Sequence, residues 1–408
     1  MVQWGMRWAV VATAIMSTGL AMPVAHADEW ATVGNGLADT SRPDVSMRGS
    51  ITTIVWATPG GELRTRGVSA KGRLRSPRLL QRGWNYLSAD PVRVGSGYVA
   101  AGTRSLPGSP SYWPGAAFVT DGTSLRSLGD DRAYLSQGQD AVLFDGRLLY
   151  AYTDGGATVQ VSAPDGAPAQ ITRGTALEPA IAADGGTAHV GWFSAGEGVL
   201  VSGIASQPGT TTIAAPSLAP GSLYTVPTQR IPLAVRKGDA WTAYQSGAKR
   251  IRVWRAGQGS AIEISTPKRV VAVDLAVAGS RLWLAYATTN QVCVQRTAAG
   301  GSTFGATSCR AGAASAVSLA AGKWADVVAT VAPKALYARF LPALTVTARP
   351  RAGTIVVRDA GVPVAKARVT VGRQKTRSNA KGKARLQAWP SKQLVTVRVP
   401  GYEQWKSR

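Results

Sequence analysis

Trp241-Thr242-Ala243-Tyr244 and Trp283-Leu284-Ala285-Tyr286 are the same short phrase written twice: a β-prone run around a small residue, followed by an aromatic. Looser copies are Ile54-Val55-Trp56-Ala57-Thr58, Val99-Ala100-Ala101-Gly102-Thr103, Leu149-Tyr150-Ala151-Tyr152, Val190-Gly191-Trp192-Phe193 and Val327-Val328-Ala329-Thr330. The small residues fall at 57, 101, 151, 191, 243, 285 and 329, with spacings of 44, 50, 40, 52, 42 and 44. A recurrence near this length is that of one four-stranded propeller blade.

The flanks repeat as well. Shortly before each later copy lies a second apolar run: Val92-Arg93-Val94, Ala141 to Phe144, Pro179 to Ala182, Leu233 to Val235, Leu275 to Val277 and Val317 to Leu319. Turn-forming residues join the two runs, as in Asp145-Gly146, Asp184-Gly185-Gly186 and Lys237-Gly238-Asp239. Alternating third strands follow, clearest at 157–161, 198–201, 251–254 and 291–294, with weaker fourth strands such as 211–213 and 261–264. Small residues beside aromatics suit blades packed face to face, where Gly or Ala permits close approach and Trp or Tyr fills the widening gap. The aromatics are therefore expected in the core and not around a cofactor. Trp30 to Val33 precedes the first complete unit and is expected to pair at the outer edge of the last, hiding an exposed strand. The predicted fold is all-β: a seven-bladed β-propeller over 28–342 with a small C-terminal β-sandwich domain over 343–408.

The segment Glu178 to Trp192 resembles the blades of secreted sialidase-like propellers. The Asp-box of true sialidases (Ser-x-Asp-x-Gly-x-x-Trp) is missing from every unit, so their catalytic arginines, tyrosine and acids are not carried onto this chain. From about Leu344 the texture changes. Gly361-x-Pro363-x-x-x-Ala367-x-Val369, the turn Asn379-x-x-Gly382 after Thr376, and the final Gly401-Tyr402 resemble the carboxypeptidase regulatory-like module, a small prealbumin-type β-sandwich. That resemblance implies a stalk or adhesive role without catalytic residues. Here the exposed strand positions carry Lys and Arg, which the family does not require.

Residues 1–27 read as an export signal. Arg7 precedes an apolar run from Trp8 to Ile15, and Ala25-His26-Ala27 supplies the small residues of a cleavage site. The run is short for a membrane span, and no second one of spanning length follows. The mature chain is expected outside the cell, released or held at the surface by non-covalent contacts. It keeps one histidine, His189, so multi-histidine zinc sites are excluded and a Ser-His-Asp triad would have to use that residue. The alternation around His189 predicts a strand-facing imidazole with a hydrogen-bond partner. Cys293 and Cys309, the only cysteines, are expected to form a disulfide in an oxidising compartment.

Lys plus Arg number 46 against 22 Asp plus Glu. From Thr345 onward, 15 basic residues face two acids, Asp359 and Glu403, so this sixth of the chain holds over half of the net +24. Such a field attracts polyanions. Arg373, Lys375, Arg377, Lys381, Lys383 and Arg385 are the candidate contacts, and an anionic cell-wall polymer, glycan or protein is the expected partner. Nucleic acid is not expected, since no binding motif for it is present. A second basic group, Arg64, Arg66, Lys71, Arg73, Arg75, Arg78 and Arg82, lies in the first unit.

The mouth of a propeller's channel is the usual ligand site, and four acids sit at or just before innermost strands: Asp90, Asp140, Glu178 and Asp274. Converging there, they would hold a cation such as calcium or act as acid and base on a glycan. Held in separate turns, they would only bond nearby backbone amides. No phosphate loop or nucleophile elbow is visible, and no cofactor is expected beyond that possible calcium. The sequence thus leads to a non-catalytic secreted binding protein, with a glycan-processing enzyme and a structural cell-envelope protein as the alternatives.

Overall fold

The computed structural model describes residues 30–37, 42–82, 87–94, 97–105, 115–127, 139–154, 158–163, 169–172, 176–194, 198–204, 212–214, 230–387, 389 and 394–407. The expected export signal, 1–27, lies outside them. Among the described residues no helix is long and apolar enough to cross a membrane.

The described residues form nine four-stranded sheets, seven of them between 31 and 340. Each of the first six is an antiparallel meander in chain order, the first running Asp44–Arg48, Ile51–Ala57, Leu63–Val68, Arg78–Gln81. In the seventh, Ala316–Ala321, Ala325–Val331 and Lys334–Phe340 are completed by the N-terminal strand Ala31–Asn35, antiparallel to Lys334–Phe340. The first strands of the seven sheets, beginning at Asp44, Leu87, Gln139, Leu177, Leu233, Val270 and Ala316, touch one another in that order, and the last touches the first. The chain is all-β, and the closed circle of sheets is propeller-like.

The repeated small residues sit where neighbouring sheets approach most closely. Ala57, Ala101, Ala151, Ala243, Ala285 and Ala329 are fully or almost fully buried. At Gly191 an added Cβ would lie 2.6 Å from Ile231 Cδ1 of the following sheet's approach segment, so any larger residue there obliges the Ile231 side chain to move. The aromatics of the repeats are core: Tyr150, Tyr152, Tyr244, Trp254 and Trp283 are among the largest fully buried side chains. Each contributes a large apolar area to the inter-sheet packing.

Closure is secured by polar contacts as well. Asp326, fully buried, accepts hydrogen bonds from Arg339 (2.7 Å), Tyr337 (2.8 Å) and, across the seam in the first sheet, Thr52 (2.5 Å). Arg339 stacks over Trp324 at 4.1 Å and donates to the carbonyls of Ala70 and Ser69. Arg66 donates to the carbonyls of Thr32 and Val33, both at 2.9 Å, tying the closing strand to the first sheet. Part of the first basic group is therefore committed to closure or paired: Arg64 and Arg82 meet Glu62. Cys293 and Cys309 are register partners on adjacent strands of the sixth sheet and form a disulfide.

The last two sheets belong to the C-terminal segment. One contains Thr345–Arg349, Thr354–Asp359, Val362–Pro363 and Lys383–Arg385, and the other Gln374–Arg377, Arg368–Val371, Val395–Arg398 and Trp405–Lys406. Both supply one apolar core that includes Leu344, Ile355, Val357, Val369, Val395 and Val397. The unit is fastened to the sixth sheet through Asp359. This buried carboxylate accepts from Arg296 (2.8 Å) and Tyr402 (3.0 Å) and pairs with Arg281 (3.3 Å). Gly305 backs onto Ala360 so closely that a Cβ there would lie 2.9 Å from it.

Candidate functional site

The acids singled out in the sequence come together around the centre of the circle, and an arginine lies among them. Asp44, Asp90 and Asp140 stand on the first strands of the first three sheets. All three meet the guanidinium of Arg230, which lies just ahead of the fifth sheet. Its Nη1 donates to Asp44 at 3.1 Å, to Asp90 at 3.4 Å and, more closely still, to Asp140, while Nη2 donates to Asp44 at 3.3 Å. Asp274, on the sixth sheet, pairs instead with Arg42 at 3.4 Å. Arg42 also donates to Ser318 Oγ (3.0 Å) and to the Val317 carbonyl (3.1 Å) of the seventh sheet.

These carboxylates also join backbone amides of adjacent sheets. Asp140 accepts from its neighbour Ala141 at 2.9 Å and from Ile181, one sheet on, at 3.0 Å. Asp274 does the same with Leu275 at 2.9 Å and Leu319 at 2.7 Å. Ser318 Oγ donates to the Pro43 carbonyl at 2.8 Å, and the Glu178 carbonyl accepts from Ile231 at 3.1 Å. An aspartate at this strand position thus bridges two inner strands whose amides would otherwise face the channel unpaired. Asp140 thus joins both the shared guanidinium and backbone amides, whereas Asp274 bonds backbone amides and pairs with Arg42.

Five buried carboxylates (Asp44, Asp90, Asp140, Glu178 and Asp274) share two guanidiniums, and their protonation divides accordingly. Burial alone would raise Asp44, but Arg230, a hydrogen bond from Asp90 and Arg42 together bring it down to about 2. Asp90 is pushed well above the carboxylate range by burial and by the charge of Asp44. Burial lifts Asp140 to about 6 against the pull of Arg230. Glu178, in the left-handed region at φ 54°, is lifted to about 8 by burial, only partly offset by Arg42. Asp274 is raised by burial against Arg42 and Arg230. The upward shifts of Asp90 and Glu178 favour their neutral forms, which relieves the excess of buried negative charge. Among the described residues no three His, Cys, Asp or Glu side chains are grouped to hold a metal ion. Between Asp44, Asp90 and Asp140 the positive charge is supplied by Arg230.

His189 has the partner expected of it: Nε2 donates to the carbonyl of Gly238, on the next sheet, at 3.0 Å.

The basic candidates of the C-terminal unit are divided by its topology. All six are exposed. Lys383 and Arg385 pair with Val356 and Thr354 in one sheet, whereas Lys375 and Arg377 pair with Thr370 and Arg368 in the other. Arg373 and Lys381 lie in turns. Lys375 and Arg377 line an open groove of about 650 Å³ together with Arg368, Arg398, Thr370, Thr376 and Thr396, with no acid in its lining. Arg368 and Arg398 were not distinguished in the sequence. The alternations Arg368-Val369-Thr370-Val371 and Thr396-Val397-Arg398 mark them as outward-facing, but nothing local indicates that these strands lie side by side.

No protein-family model matches the chain, and no curated protein matches it in sequence. Among solved structures, apo AztD from Citrobacter koseri is similar at 13% identity and TM-score 0.40, covering 88% of this chain and 90% of that one. A chain of a mitotic checkpoint complex is similar at 10% identity and TM-score 0.49, covering 83% and 97%. An ulvan lyase is similar at 12% identity and TM-score 0.47, covering 75% and 93%. Likeness this distant carries no inference about what the chain binds.

Proposed function

We propose that this is an exported, non-catalytic binding protein: a seven-bladed β-propeller over 28–342, presenting a ligand surface, and a basic prealbumin-type sandwich over 343–408 that contacts anionic polymers outside the cell. One contrast carries the reading. The inner-strand aspartates are engaged with Arg230, Arg42 and backbone amides, whereas the C-terminal groove gathers Arg368, Lys375, Arg377 and Arg398 without an acid in its lining. Carboxylates committed to holding strands together are poorly placed to turn over a substrate, and unbalanced exposed guanidiniums attract one. The test is retention of the purified chain on immobilised anionic cell-wall polymer under a salt gradient. Retention should fall as salt shortens the Debye length below roughly 10 Å. Retention indifferent to salt overturns the reading. A glycan array with the same preparation addresses the ligand of the propeller.

One observation favours a glycan-processing enzyme instead. Asp90 is a buried carboxyl raised towards neutrality beside Asp140, and its Oδ2 accepts no hydrogen bond among the described residues. A protonated acid near an ionised one is the arrangement that cleaves glycosidic bonds. Release of new chain ends from a panel of polysaccharides, abolished by Asp90→Asn, would establish that alternative.

A further inference from the structure

The basic groove has an internal order that a general cationic surface lacks. Arg368 is directly opposite Arg377 on one neighbouring strand and Arg398 on the other, so three guanidiniums stand in a row across the sheet. Two residues along, Thr370 lies between Lys375 and Thr396, giving a second row of one ammonium and two hydroxyls. Val369, Val371, Val395 and Val397 point into the core, which directs both rows to solvent. Like charges directly opposite one another destabilise a sheet pair. Among the described residues none of these four cations has an ion-pair partner. An anion between the strands would turn that repulsion into attraction.

The geometry also selects the kind of anion. A carboxylate presents the lone pairs of both oxygens in one plane, which suits a guanidinium fork lying in that plane. A phosphate directs its oxygens along diverging tetrahedral directions, so guanidiniums from adjacent strands, about 4.8 Å apart, can share one group. The second row lies about 6.7 Å further along the strands, and a flexible phosphodiester chain can place its next phosphate there, on Lys375 and the threonine hydroxyls.

Building on the polyanion-binding function proposed above, we propose that this face binds consecutive phosphates of a linear phosphodiester polymer running along the strands. The experiment uses the full chain with linear poly(glycerol phosphate) and, for comparison, polygalacturonate of matched charge, at about 0.15 M salt. The phosphopolymer should bind about tenfold more tightly than the polyuronate. Arg368→Ala with Arg398→Ala should weaken phosphopolymer binding by about tenfold or more, as expected for two lost charge-assisted hydrogen bonds. Arg349→Ala with Arg351→Ala, which removes equal charge from exposed positions at the end of a strand of the other sheet and in the turn after it, should cost less than about twofold. Equal losses from the two double variants, or equal affinity for the two polymers, overturn the assignment while leaving polyanion binding intact. If the unaltered chain binds neither polymer, the wider reading fails along with it. All four substitutions are at exposed positions, and a far-ultraviolet spectrum matching that of the unaltered chain confirms that the fold is retained.

Discussion

Arg230→Met is the substitution that most directly tests the centre of the molecule. It keeps a long side chain and removes the charge that Asp44, Asp90 and Asp140 share. The Arg230 side chain is 14% exposed and those of its partners 5–9%, so solvent compensates little for the loss. Breaking a buried pair from one side typically costs 3–5 kcal/mol because the remaining charge has no counterion. Here at least two ionised carboxylates, Asp44 and Asp140, lose theirs, and a loss of about 4 kcal/mol at pH 7 is expected. In a chain of this size that lowers the apparent Tm by roughly 5 °C. The pH dependence carries the sharper information. Arg230 holds Asp44 near 2, below its value in the unfolded chain. Without the guanidinium, burial dominates: Asp44 moves above its unfolded value, and Asp140, already above its own, rises further. Groups raised in this way stabilise the fold at low pH and lose that contribution as pH rises. The deficit of the variant should therefore grow between about pH 5 and about pH 7.5. Urea unfolding followed by tryptophan fluorescence at the two pH values measures it. A deficit below about 1 kcal/mol, or one equal at both, would refute the idea that Arg230 neutralises the axis.

Further substitutions probe the same physical account. Glu178 titrates near 8 when folded and near 4.5 when unfolded, so its contribution to stability declines by roughly 3 kcal/mol between about pH 5 and pH 8; Glu178→Gln should flatten the pH profile of the urea midpoint over that interval, and an unchanged slope counts against a buried neutral acid. Gly191→Ala should cost about 1–3 kcal/mol through overlap with Ile231 Cδ1. Adding Ile231→Val removes that methyl and should recover part of the loss in a double-mutant cycle, whereas simple additivity would contradict the close-approach argument. Asp359→Asn leaves Arg281 and Arg296 without their carboxylate and should cost about 3 kcal/mol. Calorimetry should then show the C-terminal unit melting ahead of the rest, and a single unshifted transition would show that the contact does not hold the two together.

What could be read from the sequence was what is decided within one repeat. Ala57, Ala101, Ala151, Gly191, Ala243, Ala285 and Ala329 recur because each inner hairpin needs a small residue where sheets approach, and the hairpin partner is close in sequence. The closing strand was legible because an unpaired strand ahead of the first unit had one edge left to cover. Asp90, Asp140 and Asp274 stood out as acids at or just before innermost strands. Asp44 has the same place in the first sheet, and Pro43-Asp44-Val45, just ahead of Ile54, was the available signal for it. Arg230 and Arg42 gave none. Arg230 and Asp44 are 186 residues apart and become neighbours only when the circle closes. The seam of Asp326, Arg339 and Thr52 is non-local in the same way. In the C-terminal unit, alternation identified the outward positions, but the register joining Arg368 to Arg398 is set by the packing of Val369 on Val397.

The two charge systems are linked by a constraint on where carboxylates can stand. Only 22 acids accompany 46 basic residues, and the structure buries Asp44, Asp90, Asp140, Glu178 and Asp274 around the axis, Asp326 at the seam and Asp359 beneath the C-terminal unit. Few acids are then left to balance the outer surface. The same aspartates that stitch the inner strands and enclose Arg230 are withdrawn from any screening of Arg368, Arg377 and Arg398. A cation row facing water without nearby carboxylates keeps the field of its full charge count, and that field is limited chiefly by salt. Assembly of the axis and attraction of an anionic polymer are on this account two consequences of one allocation of charge. Adding an acid beside the row, for instance Thr370→Glu, should weaken polymer capture mainly by slowing association at low ionic strength.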